Sequence, residues 1–226
     1  MLNALISVLV PMAAGAQLIL TLVLAKGEIC PGQRGRIHRL LPVLLVLWLL
    51  VATQHLYVLL VVALTGYFYS QVKTGKTRQE GPLKILYLAN VLAGITLLHD
   101  VLTAPNWIAA VMMVLSCLLL GTMAAHLLLT VARTRLQAFH RLLPVAGILA
   151  AMLLTLCIVP FTSGMASSQL QDTLQLILVC FSLLVTAVII WSWHLLTTKS
   201  VDRIQLAISC LVLLTSVSGF HQLYFS

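Results

Sequence analysis

The chain has 226 residues, 61% of them hydrophobic and only 8% charged, with a net charge of +8 and a mean hydropathy of +1.09. A water-soluble core of this size cannot hide so much apolar surface, which excludes a soluble domain and indicates a polytopic membrane protein. The thirteen Lys and Arg all fall in short connections or at their edges, where positive charge sets membrane orientation, so a nucleic-acid role is excluded too.

Lipid offers no hydrogen-bond partners, so each crossing must be a helix or a strand of a closed barrel. The runs here are continuous Leu, Val, Ile and Ala rather than alternating, which predicts an all-α protein. The first run, MLNALISVLVPMAAG, carries no basic residue before Lys26. It reads as a span near 2–25 that starts outside, not as a cleavable signal. KGEICPGQRGR then forms a Gly/Pro/Arg turn.

From Ile37 to Val72 the chain is apolar except for His38, Arg39 and the Thr53-Gln54-His55 trio. One helix of that length would extend roughly 54 Å, against a hydrocarbon core of about 30 Å. Two short spans near 38–53 and 56–72, joined by a tight turn at Thr53-Gln54-His55, are expected instead. Beyond the polar stretch KTGKTRQEGP come spans near 84–102 and 106–131, separated by the turn TAPN. Spans near 142–162, 172–196 and 204–225 complete the chain, with TSGMASSQ between the first two. Residues 1–226 thus read as a single membrane domain of about eight helices.

Charge supports the turn. Joint one holds Lys26, Arg34, Arg36 and Arg39; joint three Lys73, Lys76, Arg78 and Lys84. Joint five holds Arg133, Arg135 and Arg141, and joint seven Lys199 and Arg203, while the even joints hold none. This alternation obeys the positive-inside rule only if the chain crosses again near Gln54, which puts both termini outside.

Depth then sorts the polar residues. Gln54, His55 and Tyr57, His99 and Asp100, and His221, Gln222 and Tyr224 fall toward the outer side. His126, and His194 with Trp191 and Trp193, fall toward the cytoplasmic side. His38 and His140, beside arginines, are expected at the surface, and Trp191 and Trp193 as interfacial anchors. An ionisable group at membrane depth invites a functional reading, yet His99-Asp100 equally suits a helix simply ending at the interface. His126 and His194 suit interhelical hydrogen bonding or, at similar depth, axial ligation of a b-type haem. Cys30, Cys117, Cys157, Cys180 and Cys210 have no metal-type spacing and read as small hydrophobes or neutral residues. There is no phosphate-cradling loop, nucleophile elbow or zinc motif, so little covalent chemistry is expected of the chain alone. A small non-redox transporter or assembly factor is a further reading, which the nearly uniform Leu/Val/Ile midplane disfavours for polar solutes.

Three stretches carry a family resemblance. LVLAKGEICPGQRGRIHRLLPVLLVLWLLVATQHL resembles the first two spans of the membrane anchor subunit of dimethyl sulfoxide reductase, with a Lys-Gly after span one and a His-Leu pair closing span two. LLLGTMAAHLLLTVARTRLQAFHRLLPVAGILAAMLL is similar to the fifth and sixth spans, and LTSVSGFHQLYF to the last. The chain is shorter than that family's, and the polar segment following the His-Leu pair is absent. The resemblance implies a multi-pass anchor in the bacterial inner membrane, working in anaerobic respiration. Such an anchor binds menaquinol near the outer face and passes electrons to an iron-sulfur subunit and a molybdopterin catalytic subunit. The family's quinol-linked His corresponds to His55. Asp100, His221, Gln54, Tyr57 and Tyr224 complete the expected quinol site, with Asp100 as relay or hydrogen-bond partner and the tyrosines as ring-packing residues.

Overall fold

The computed structural model describes residues 2–134, 137–164, 167–197 and 201–225. Arg135 and Lys199, two of the orienting charges, lie outside the described residues. The helices are α1 (Leu2–Lys26), α2 (Pro31–His38), α3 (Leu41–Val51), α4 (Leu59–Gln71), α5 (Leu83–Leu102), α6 (Trp107–Val131), α7 (Gln137–Leu156), α8 (Ile158–Ser163), α9 (Ser167–Leu196) and α10 (Arg203–Phe225). Continuous apolar runs form helices because an α-helix satisfies its own backbone groups where water is absent. The breaks are chemical. Asn106, in the TAPN turn, caps α6 by accepting from the Ala109 N–H at 2.8 Å. Pro31 and Pro42 stand in the first turns of α2 and α3, where a missing N–H costs nothing.

Six of these segments are long and apolar enough to cross a membrane: Ala4–Lys26, Leu83–Leu102, Trp107–Val131, Ala138–Ser163, Thr173–Leu195 and Arg203–Phe225. Helices α3 and α4 are shorter. Between them the chain leaves the helix after Val51 and re-enters through a 3-10 turn at Leu56–Val58. The two then run back to back. Gly66 of α4 faces the Leu45 side chain, the His38 ring lies 6.0 Å from that of Phe68, and His38 Nδ1 lies 3.1 Å from the Lys73 carbonyl. Residues roughly equidistant from position 55 therefore meet, the signature of an antiparallel helical hairpin.

Helices α1 and α6 form the centre, and α1 also packs on α3, α5 and α10, while α10 packs on α6 and α9. The α1–α6 crossing is set by glycine. A Cβ on Gly121 would lie 2.6 Å from Gly15 Cα, so neither position has room for a side chain. Such backbone proximity is how membrane helices gain van der Waals contact when lipid removes the hydrophobic drive between them. Hydrogen bonds between helices add to it. Trp48 Nε1 donates to Gln17 Oε1 at 2.6 Å, Asn90 Nδ2 to Thr21 Oγ1 at 2.8 Å, and Ser209 and Ser216 donate to the Ala187 and Cys180 carbonyls at 2.8 and 2.7 Å.

The basic joints gather at one end of the bundle. Arg34 pairs with Glu80 at 3.1 Å and donates to the Arg78 carbonyl at 2.9 Å. Arg36 donates to the Ala132 and Arg133 carbonyls at 2.7 and 3.1 Å. Joints one, three and five are thereby tied together, as the charge alternation requires.

Two expectations need correction here. His38 is fully buried rather than on the surface, because α2 folds the joint back over it. Its Nδ1–H donates to the Lys73 carbonyl, and Nε2 has no partner. Burial pushes its pKa below the ordinary imidazole value, the Lys73 hydrogen bond opposes this in part, and the nearby Arg34 charge adds to the lowering. Trp191 is not an interfacial anchor but fully buried, whereas Trp193 is exposed.

Candidate functional site

At the end of the bundle opposite the basic joints, the α3–α4 turn meets the last turn of α5. His55 stands at the N-terminal cap of the 3-10 turn, in extended conformation with φ −129° and ψ 90°. That conformation aims its ring across at α5. His55 Nε2 lies 3.6 Å from Asp100 Oδ1, and His99 Nδ1 lies 3.2 Å from the same oxygen. The side-chain exposures grade outward, 12% for Asp100, 25% for His55 and 52% for His99. The carboxylate is thus the sheltered centre and the imidazoles its rim.

Tyr57 closes one side. Its ring centroid is 5.5 Å from that of His55 and 6.2 Å from that of His99, and a side-chain hydrogen bond joins it to Thr96. Gln54 Oε1 accepts from the Ser7 hydroxyl at 3.2 Å, which ties the turn to the start of α1. His221 reaches the same end from α10. It stacks on Phe225 at 4.1 Å with planes 3° apart, within range of the Asp100 charge.

Tyr224 is not brought to this cluster. Its ring is buried against Phe161 of α8 at 4.3 Å and against Phe220, and its hydroxyl has no partner. The expected site residues therefore converge as His55, Asp100 and Tyr57, with Gln54 and His221 flanking and Tyr224 turned elsewhere. His99 belongs to the cluster as fully as His55 does. At the same end, a mainly apolar cavity of about 480 Å³ opens between α1, α9 and α10, bordered by Leu5, Leu176, Leu183 and Gln222.

A second polar cluster lies toward the basic end. Trp191 Nε1 donates to His126 Nδ1 at 2.8 Å, which leaves the His126 proton on Nε2. That nitrogen donates to His140 Nδ1 at 3.1 Å, and His140 Nε2 then donates to the Thr134 carbonyl at 3.2 Å. His194 packs beside His126 with ring centroids 5.4 Å apart, its Nδ1 2.9 Å from the Trp191 carbonyl. Gly147 makes room for the Trp191 ring, which a Cβ there would strike. Both nitrogens of His126 are engaged by protein, so the haem-ligand expectation for His126 and His194 gains no support. Nor does His140 sit free at the surface as expected; it is the middle member of this chain of hydrogen bonds. Sequence reading missed the link because His140 follows two arginines in the basic joint and precedes a third, which suggests solvent. The signal that could have found it is the placing of four ring N–H groups, those of His126, His140, Trp191 and His194, toward the same end of their segments.

Comparison with known proteins places the chain among integral membrane proteins. A family model described as an integral membrane domain matches residues 3–219. A Haemophilus influenzae protein carrying the description "uncharacterized protein" is 32% identical over 181 residues. That match covers 74% of this chain and 66% of the relative, just under two thirds of the relative's length. No solved structure matches the chain.

Proposed function

The chain belongs to this integral membrane domain family, and we propose that it is the membrane anchor of a multi-subunit respiratory oxidoreductase of the dimethyl sulfoxide reductase type, oxidising menaquinol at the His55–Asp100 cluster. The observation that carries the reading is the meeting of His55 with a sheltered carboxylate at the bundle end remote from the basic joints. In this reading α3 and α4 each cross the bilayer with local thinning, which gives eight crossings and leaves both termini outside. The basic end faces the cytoplasm of a bacterial inner membrane.

Quinol oxidation releases two electrons and two protons and needs an acceptor for each hydroxyl proton. An imidazole suits the first step because its charge changes near neutral pH. The Asp100 carboxylate orients the His55 ring and stabilises the imidazolium that forms; the proton leaves to water past exposed His99, and the neutral imidazole then takes the second hydroxyl proton by the same route. Tyr57 supplies a ring face for the quinol head, and Gln54 and His221 border it. The two electrons leave to an iron-sulfur subunit and from there to a molybdopterin subunit.

The test is purification of the tagged chain from its native membranes, with metal analysis and a menaquinol oxidation assay. Expected are co-purifying iron and molybdenum, and quinol turnover lost in His55→Ala. A chain that purifies without either metal, or a His55→Ala complex that turns over as wild type, refutes the proposal.

A further inference from the structure

We infer that His55, His99 and Asp100 form a binding site for one divalent transition-metal ion of the zinc class. Among the described residues these three form a group whose donor atoms all lie within 4.8 Å of one another. Zinc bound at about 2.0–2.1 Å in tetrahedral geometry places its ligand atoms roughly 3.3–3.4 Å apart. The two separations to Asp100 Oδ1, 3.2 and 3.6 Å, already bracket that value. The two imidazoles stand with ring centroids 5.8 Å apart and planes at 74°. Half-exposed His99 can close the remaining gap by rotating its side chain.

Charge supplies an independent argument. Asp100 lies in the last turn of α5, where the helix dipole is negative and a carboxylate is disfavoured. The even joints of this end contain no Lys or Arg, and Arg34 and Arg36 are tied up at the opposite end. Two imidazoles are the close partners of this largely sheltered carboxylate. A divalent ion would convert an ill-compensated charge into a ligand. Two imidazoles and one carboxylate, with water in the open position, form a donor set suited to zinc rather than to magnesium or calcium, which prefer oxygen alone.

The inference does not depend on the quinol reading, since binding is measured on the isolated chain without quinol; an ion held on His55 and Asp100 occupies the groups that would take the quinol proton, so bound Zn2+ is expected to inhibit turnover. The chain, purified in detergent and stripped with a chelator, is titrated with ZnCl2 by calorimetry, and with CoCl2 by visible absorption. One ion per chain is expected, unaffected by millimolar Mg2+. His55→Gln, His99→Gln and Asp100→Asn are each expected to lower the affinity at least tenfold, while His194→Gln leaves it unchanged. Each variant is first checked for a single size-exclusion peak, and Asp100→Asn, which keeps side-chain volume, stands in for any histidine variant that fails. Absence of saturable Zn2+ binding, or binding that the three substitutions leave intact, overturns the inference. A wild-type chain that binds no Zn2+ but whose quinol turnover is lost in His55→Ala would leave the proposed function standing, and saturable Zn2+ binding by a chain without quinol turnover would leave the metal site standing.

Discussion

Replacing Gly121 by Ala tests the packing on which the whole bundle depends. The new Cβ would lie 2.6 Å from Gly15 Cα and 2.8 Å from the Gly15 carbonyl carbon. Non-bonded carbons settle at about 3.5–4.0 Å, so the α1 and α6 backbones must part by on the order of 1 Å at the crossing. A gap of that size forfeits roughly a quarter to a half of the dispersion energy of the contacts it opens. The obstructing atoms are backbone and cannot rotate away, so a destabilisation of about 1–3 kcal/mol is expected, as for overpacked cores. Gly94 is the control. It is exposed on α5 with nothing within 4 Å of a Cβ, so Gly94→Ala should be neutral or stabilising by up to about 1 kcal/mol through helix propensity. Reversible unfolding in mixed micelles, followed by tryptophan fluorescence, measures both. If Gly121→Ala matched wild type or Gly94→Ala, the α1–α6 contact would not be what holds the centre together.

Three further outcomes are expected. Trp191→Phe leaves the buried His126 Nδ1 without its donor and should cost about 1–3 kcal/mol in the same assay; a neutral result would argue against the hydrogen-bonded chain. His38 is held below its ordinary pKa by burial, so the unfolded chain binds the extra proton first as pH falls. Stability should be full above about pH 6.5 and decline below it, and His38→Gln should flatten that decline; an unchanged slope would exclude His38 as its source. Single cysteines at positions 32 and 76 should react with an impermeant reagent from the same side of the membrane, and one at position 104 from the other. Labelling of 32 and 76 from opposite sides would remove the hairpin as a membrane feature.

Much of this was legible along the chain because lipid makes each crossing a local problem. The break near Gln54 follows from length and from the alternation of basic joints, and the hairpin stands there. His55 and Asp100 could be assigned to one end on the same grounds. Which side chains meet at that end could not. Tyr224 and His221 are three residues apart on α10, yet one packs against α8 and the other stacks on Phe225 toward Asp100. Helix rotation decides this, and a helix that is apolar all round carries no stripe to reveal which face turns inward.

The same reason divides the molecule as a whole. Composition and the placement of thirteen cations determined an all-helical membrane chain, its break near Gln54, and the end at which the main polar residues lie, though not the helix Pro31–His38 or the break at Cys157. Tertiary packing decided that Gly15 meets Gly121, that Trp191 is buried against His126, and that His99 joins His55 around Asp100. Depth in a bilayer is encoded one residue at a time by hydropathy and charge. Azimuth is fixed only when small residues and a few hydrogen bonds on several helices are satisfied together.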